Sequence, residues 1–293
     1  MSSRRDTIRR MAEALDGLYD RNEAEAIARA VLIDKEGITR SHLLVGIDEE
    51  CTVPESETGR IISELASGRP LQYILGHCEF CGLDFEVGEG VLIPRPETEE
   101  LVAAAARRAE EGCSVLDLCT GSGCIAVALA KQIEKSTIIA ADISQKALEY
   151  ARRNARKNSV NIEFVQADIF NGEDCGAIRQ ALRRGGAETD PQFDIIVSNP
   201  PYVPQSDIGS MHVNVKNFEP HEALFVPDGD PLLFYERIAE LGREMLRDGG
   251  LLCFEIYELH ARRTAAMLAE KGYRQIETID DANLKPRVVC CRK

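Results

Sequence analysis

Four consecutive residues in this 293-residue chain, Asn199-Pro200-Pro201-Tyr202, combine types that could act together on a planar nitrogen. They follow directly on Phe193–Ser198, an apolar run with the pattern of a buried strand. Residues before proline are held extended, and neither proline has an N–H to donate. The Asn199 side-chain oxygen and the Pro200 carbonyl are therefore rigid acceptors, suited to an NH₂ group with its two donors. Tyr202 adds a flat face for a planar amide or base. An amide nitrogen is a poor nucleophile because its lone pair is delocalised into the carbonyl. Two hydrogen bonds to its protons would fix its orientation, favour pyramidalisation and aim the lone pair at a methyl donor. Most of the catalysis would then be positioning and electrostatics, with Asn199, Pro200 and Tyr202 as the acting residues and no separate general base. A Pro-Pro loop that merely leaves a strand is the competing reading, and it loses force when a cofactor turn lies upstream.

Such a turn is present. In Val115-Leu-Asp-Leu-Cys-Thr-Gly-Ser-Gly-Cys-Ile-Ala126 an apolar strand runs into a Gly-rich turn and an apolar helix begins at once. Gly121 and Gly123 let the backbone turn sharply and approach a ligand. The helix start behind them offers free N–H groups and a positive dipole end. Nineteen residues beyond Gly123, Asp142 ends the next strand, placed to accept from the two hydroxyls of a ribose. The same spacing satisfies the dinucleotide fingerprint, so the pair indicates a nucleoside-bearing cofactor without saying which. Two carboxylates favour S-adenosyl-L-methionine over a nicotinamide dinucleotide. Asp117, at the end of the first strand, suits the ammonium of a methionyl group and would repel a pyrophosphate. Asp168 follows the third strand, where it could accept from an adenine amino group while Ile169 covers the ring. A turn or helix cap is the plain alternative for Asp168.

From Val91 onward strands and helices alternate. Strands are expected at Ser114–Leu118, Thr137–Asp142, Asn161–Gln166, Phe193–Ser198, Gly250–Ile256, Arg274–Thr278 and Arg287–Cys291. Amphipathic helices are expected at Cys124–Gln132, Ser144–Lys157, Pro231–Leu246 and His260–Glu270. The alternation predicts an α/β fold, a mostly parallel sheet covered on both faces. Residues 1–75 read instead as a small helical bundle, with apolar positions at helical spacing and a third helix at Glu55–Ser67. Residues 76–90 read as a β-hairpin connector around Cys81-Gly82, and 91–293 as the catalytic domain. Asn171–Pro191 is expected to be a polar surface excursion with one short helix.

Composition narrows the partners. Lys and Arg total 35 against 49 Asp and Glu, a net charge of −14, which argues against a large face for duplex DNA. No direct contact with nucleic acid is expected, though a protein partner with a basic face fits. The first ten residues carry positive charge with no apolar stretch behind them, unlike a signal peptide. The longest apolar run, Cys124–Ala130, is far too short for a membrane span. With ten cysteines, well below the density of a disulfide-built scaffold, a cytoplasmic protein with reduced thiols is expected. Cys78-x-x-Cys81 lacks partners for a metal, and no metal is expected. The basic run Arg152–Lys157 is most simply a solvated helix face.

Together these segments resemble the HemK-type glutamine methyltransferases that modify bacterial peptide chain release factors. The resemblance spans nearly the whole chain: Arg69–Gly76, Val91-Leu-Ile-Pro-Arg-Pro-Glu-Thr-Glu99, Asp117–Gly123, Ala141–Ser144, Asn199–Tyr202 and Phe218-Glu-Pro-His-Glu-Ala-Leu224. The Asn-Pro-Pro-Tyr motif is shared with DNA adenine methyltransferases, whereas the Ile-Pro-Arg-Pro-Glu-Thr block is not. The resemblance implies a Rossmann-like sheet with a reversed last strand and a helical domain that recognises the release factor. It implies methylation of the glutamine in the factor's Gly-Gly-Gln loop in translation termination, with S-adenosyl-L-homocysteine as product. It also implies that Asn199, Pro200, Pro201 and Tyr202 grip the amide. Cys119, Thr120, Gly121, Ser122, Gly123, Asp142 and Asn199 would touch the cofactor, with Arg95 and Thr98 nearby. A monomer is expected. A sister enzyme acting on a ribosomal-protein glutamine is the nearest alternative, and a DNA adenine methyltransferase a more distant one. Cys119 stands where the family usually has Gly, and Glu255-Ile256-Tyr257 replaces a usual Glu-Ile-Gly.

Overall fold

The structure, a computed structural model, describes residues 2–184 and 192–293. The chain forms two compact units, Met1–His77 with His212–Phe218, and Cys78–Met211 with Glu219–Lys293.

The first unit is helical. Ser3 caps α1 (Arg4–Ala14), accepting from the Asp6 N–H. Asp20 caps α2 (Arg21–Glu36) in the same way, and Gly37 ends it in the left-handed region. Thr39 caps the short α3 (Arg40–Val45). Pro54 and Pro70 precede α4 (Glu55–Ala66) and α5 (Leu71–Leu75), where a missing N–H costs nothing. Ile8, Met11, Leu15, Val31, Leu32, Ile61 and Leu65 fill the core. Arg4 is buried among them and is satisfied by Glu36 at 2.6 Å, Glu49 at 2.8 Å and the Gly46 carbonyl at 3.0 Å, as a buried charge requires. Residues 212–218, which the sequence assigns to the 91–293 domain, pack with this unit instead. The His212 ring hydrogen-bonds the Leu18 carbonyl at 3.0 Å and lies 5.0 Å from the Tyr19 ring.

The second unit opens with the hairpin strands β1 (His77–Phe80) and β2 (Leu83–Glu86). Its two turn residues, Cys81 and Gly82, both have positive φ (50° and 70°), the geometry that matches strand twist in a two-residue turn. After a short 3₁₀ turn at Pro96–Thr98 comes α6 (Glu99–Ala106), with acidic residues in its first turn. There follow β3 (Ser114–Leu118), α7 (Cys124–Gln132), β4 (Thr137–Asp142), α8 (Gln145–Lys157), β5 (Glu163–Gln166) and α9 (Gly172–Arg184). The rest of the expected excursion, 185–191, lies outside the described residues. Next are β6 (Phe193–Ser198), β7 (Val203–Pro204), α10 (Val213–Phe218, in the first unit) and β8 (Phe225–Val226). The chain ends with α11 (Leu233–Met245), β9 (Leu246–Glu255), α12 (Ala261–Glu270), β10 (Arg274–Asp280) and β11 (Pro286–Arg292).

Seven strands form one sheet in the order β10-β11-β9-β6-β3-β4-β5. The five from β9 to β5 are parallel, and β11, the last in the chain, runs antiparallel to both neighbours. Alternate residues along each strand serve opposite faces. Leu116, Leu118, Ile196 and Phe254 pack on one side, and Val115, Ile195, Val197 and Leu251 on the other. Burial on both faces explains the near-continuous apolar runs. Chain order leads from β3 outward through β4 and β5, then returns to the far side of β3 as β6. That reversal opens a crevice at the carboxyl ends of β3 and β6.

One expectation changes here. Cys253 and Cys290 oppose each other in register across β9 and β11, with Cα atoms 4.2 Å apart, and form a disulfide. Not every thiol is reduced, because register rather than sequence spacing brings this pair together. The basic run on α8 keeps the expected exposed face, with Arg153, Arg156 and Lys157 at the surface; Arg153 pairs there with Glu86 and Lys157 with Asp84, both on the hairpin, while Arg152 lies over the Phe164 ring.

Candidate active site

A cavity of about 290 Å³ opens in the second unit at the carboxyl ends of β3, β4, β5 and β6. Its walls hold Arg95, Thr98, Cys119, Thr120, Gly121, Ser122, Asp142, Asp168, Ile169, Asn199 and Pro201, eleven of the residues singled out in the sequence.

The strand ends are tied together before any ligand is considered. Thr120 N–H donates to the Ala141 carbonyl at 3.1 Å and Ala167 N–H to the Asp142 carbonyl at 3.0 Å. The Ser198 hydroxyl donates to the Leu118 carbonyl at 2.7 Å, holding the start of the Asn199 segment beside the glycine turn. Within that turn Cys119 has φ 59°, Gly121 φ 55° and Gly123 φ 79°. Cys119 therefore occupies a left-handed conformation that glycine adopts freely and that costs another residue roughly 1–2 kcal/mol. Gly123 lies behind the cavity rather than in its wall. A Cβ there would stand 3.0 Å from the Ala151 Cβ of α8, so glycine allows the two helices to approach. The buried Asn154 of α8 secures the turn from below. Its Nδ2 donates to the Ser122 and Glu86 carbonyls at 2.9 and 3.0 Å, and its Oδ1 accepts from Glu86 N–H at 2.7 Å. Nothing in its sequence neighbourhood marks that role, because both partners are distant in the chain.

Asp142 accepts from Gly121 N–H at 2.8 Å and Ser144 N–H at 2.9 Å, one on each oxygen. Each oxygen keeps a lone pair for a further donor. Burial pushes its carboxyl above the usual range, against the pull of these N–H groups. Asp168 turns its own loop, accepting from Phe170 N–H at 2.9 Å, so the turn reading and a place in the cavity wall hold together. Ile169 reaches the wall but is almost fully buried. The exposed apolar faces belong to Ile143 and Phe170, 58% and 45% accessible, which the sequence reading passed over. An aromatic residue four positions beyond the end of β5 was the available signal. Pro220, Glu222 and Ala223, from the Phe218–Leu224 segment, complete the wall. Arg95 pairs with the buried Glu219, which also accepts from Ile93 N–H at 3.1 Å.

Asp117 is placed differently from the expectation. It is wholly buried beneath the turn, absent from the cavity wall, and accepts from the Thr120 hydroxyl at 2.6 Å. The next residues fold over it, so no ligand group reaches it in this arrangement. Burial pushes its carboxyl up to about 7. A folded chain that holds this proton more tightly than the unfolded chain loses stability as pH rises from about 4 through about 7. Thermal unfolding of Asp117→Asn is expected to decline less across that window than unfolding of the parent chain. Parallel pH profiles would show that Asp117 carries no such linkage.

Asn199 borders the cavity, and its Nδ2 donates to the Thr98 hydroxyl at 3.3 Å, which leaves Oδ1 as the free end. Pro200 and Tyr202 stand outside the wall. The Tyr202 hydroxyl donates to Glu255 at 2.9 Å, and its ring stacks on Tyr257 with centroids 6.1 Å apart. Tyr257, the departure from the usual Gly, thus backs the aromatic face of the motif. Its hydroxyl donates to Asp207 at 2.7 Å. Among the described residues no group of three or more His, Cys, Asp or Glu is arranged to hold a metal ion, and no helix is long and apolar enough to cross a membrane.

Residues 109–271 match the model of a methyltransferase domain family. The fold is similar to that of a methyltransferase from Pyrococcus furiosus, with TM-score 0.50 and 19% identity, covering 72% of this chain and 89% of that one. Sheet topology and family match define a Rossmann-like, S-adenosylmethionine-dependent methyltransferase. Over 284 residues the chain is 38% identical to the release factor glutamine methyltransferase of Bacteroides thetaiotaomicron, covering 96% of this chain and 97% of that one. It is also 38% identical to the Geobacter sulfurreducens enzyme of the same name over 272 residues, 92% and 88% of the two chains. The chain belongs to the release factor glutamine methyltransferase family.

Proposed function

We propose that this chain transfers a methyl group from S-adenosyl-L-methionine to the side-chain amide of the glutamine in the Gly-Gly-Gln loop of peptide chain release factors, serving translation termination. The observation that carries this reading is the Asn199 carboxamide at the cavity edge, its NH₂ turned onto Thr98 and its oxygen left to accept.

The cavity fits a cationic nucleoside better than a dinucleotide. Its wall carries three carboxylates, Asp142, Asp168 and Glu222, against one cation, Arg95, which is already paired with Glu219. A sulfonium and an ammonium are favoured there, whereas a pyrophosphate is repelled. Asp142 would hold the ribose hydroxyls, Ile143 and Phe170 the faces of the adenine, and Asp168 its amino group. The backbone from Cys119 to Ser122, with Arg95 and Thr98, would line the methionyl end. Bound there, S-adenosyl-L-methionine supplies an electrophilic methyl group.

The protein's own part is orientation. Asn199 Oδ1 and the Pro200 carbonyl accept the two amide protons, and the Tyr202 ring, backed by Tyr257, limits tilt of the amide plane. The nitrogen lone pair is then directed at the methyl carbon. Transfer of the methyl carbon from sulfur to that nitrogen would leave S-adenosyl-L-homocysteine and release one amide proton to solvent.

Purified protein incubated with methyl-labelled S-adenosyl-L-methionine tests the reading. Label is expected in a release factor and absent from its loop Gln→Ala variant, from ribosomal proteins and from DNA. Equal label in the Gln→Ala variant, or label in DNA, would overturn it. Size-exclusion chromatography with light scattering is expected to show a monomer.

A further inference from the structure

Arg95 is the one cation among the described residues that line the cavity, where Asp142, Asp168 and Glu222 supply carboxylates. Its side chain is 32% accessible, and its Nη2 donates to Glu219, whose side chain is 1% accessible and stands outside the wall. The other Glu219 oxygen, Oε2, accepts from Ile93 N–H at 3.1 Å. Both oxygens therefore face groups that can only donate. A protonated carboxyl would set its own O–H against one of them, so this geometry calls for the carboxylate.

Two strips of the wall meet at Glu219, with Ile93 and Arg95 on one side and Pro220, Glu222 and Ala223 on the other. Glu219 directly precedes the second strip and is bonded through both oxygens to the first. It is fixed from two sides, and Arg95 is turned onto it. The amide grip and the glycine turn make no use of this buried pair.

We infer that Glu219 determines specificity through Arg95: by holding and neutralising that guanidinium, it lets the cavity favour the charged methyl donor over its spent product. The inference rests on the cofactor placement proposed above and deepens it. S-adenosyl-L-methionine and S-adenosyl-L-homocysteine share an ammonium and a carboxylate, and differ in the sulfonium charge. A guanidinium does not lose its proton in a protein. Left unpaired in the wall, it would oppose the sulfonium and be indifferent to the neutral thioether. Paired with Glu219, it leaves Asp142, Asp168 and Glu222 to set the sign of the potential. That bias works against retention of the product after each transfer.

Glu219→Gln tests this, because it keeps the shape and removes the charge. The carboxamide oxygen can still accept from Ile93 or Arg95, while the Arg95 charge is no longer cancelled. The ratio of product Kd to donor Kd, both by calorimetry, is expected to fall roughly 5- to 30-fold from the parent's. That is the size of one unit charge acting across a partly wetted site. Added salt is expected to shrink the fall. In the double variant Glu219→Gln/Arg95→Gln the ratio is expected to return to within about two-fold of the parent's, since the two positions act as a coupled pair. A merely structural role for Glu219 would weaken both ligands alike and gain nothing from the loss of Arg95.

An unchanged ratio in Glu219→Gln, an equal loss of both affinities, or a double variant as skewed as the single one overturns the inference. If Glu219→Gln does not fold, Arg95→Gln decides. Loss of the cation from the wall is expected to hold the ratio or raise it, and a fall overturns the inference. A parent chain that binds both ligands yet does not label the release factor strikes the proposed function instead, because the affinity ratio does not depend on the methyl acceptor.

Discussion

Asn199→Ala is expected to reduce methyl transfer by roughly 10²–10³-fold, the range found when one positioned partner is removed from a reacting centre. The substitution deletes the one acceptor at the cavity edge whose orientation is fixed from behind by Thr98. The substrate amide would keep the Pro200 carbonyl but lose its second anchor, and its plane would rotate freely about the remaining bond. Proximity without orientation recovers little of the rate. Cofactor Kd, measured by calorimetry, is expected to change by no more than about three-fold, because most of the cavity wall comes from other loops. Single-turnover kinetics with labelled cofactor would make the comparison. Parental turnover in Asn199→Ala would refute the amide grip.

Asp142→Ala is expected to act on the other half of the reaction. Its carboxylate already orders the cavity by accepting from Gly121 and Ser144 N–H, and in the proposed reading its remaining lone pairs would accept from two ribose hydroxyls. Hydrogen bonds to a charged group contribute about 1.5–3 kcal/mol each. Losing two raises the cofactor Kd by roughly 100-fold or more, and the Kd of the homocysteine product with it. The Gly121 N–H is left unpaired as well, which loosens the turn. Asp142→Asn keeps one acceptor oxygen and is expected to fall between. In contrast with Asn199→Ala, the defect should shrink at high cofactor concentration. A Kd in Asp142→Ala within three-fold of the parent's would remove ribose recognition from this residue.

The two sets of effects also show which parts of the site could be read before folding. The bounds of β3, β4, β6 and α7 coincide with the expectations, because buried strands and apolar helices announce themselves through runs of Val, Ile, Leu and Ala. The short α3 and α5, of six and five residues, carry too few turns for any periodicity to register. Cys119 was conspicuous as an odd residue in a glycine position, and its φ of 59° supplies the reason glycine is usual there. Asp117 was read by the chemistry of its charge. Its burial beneath Thr120 depends on how the turn closes over it, which charge alone does not reveal. Phe170 and Ile169 are neighbours in sequence and both reach the cavity wall, and only backbone direction decides which of them is exposed there.

What the amino-acid order determined by itself is the local chemistry: rigid acceptors before prolines, a glycine turn feeding a helix, a carboxylate at the next strand end. These follow from covalent structure and short-range sterics, which act within a few residues. The tertiary structure decided the pairings that aim that chemistry. Thr98 meets Asn199 across 101 positions, Glu255 meets Tyr202 across 53, and Glu219 meets Arg95 across 124. Such partners are chosen by strand order and register in the sheet. Those are settled by burying both faces at once, so no stretch of sequence contains them.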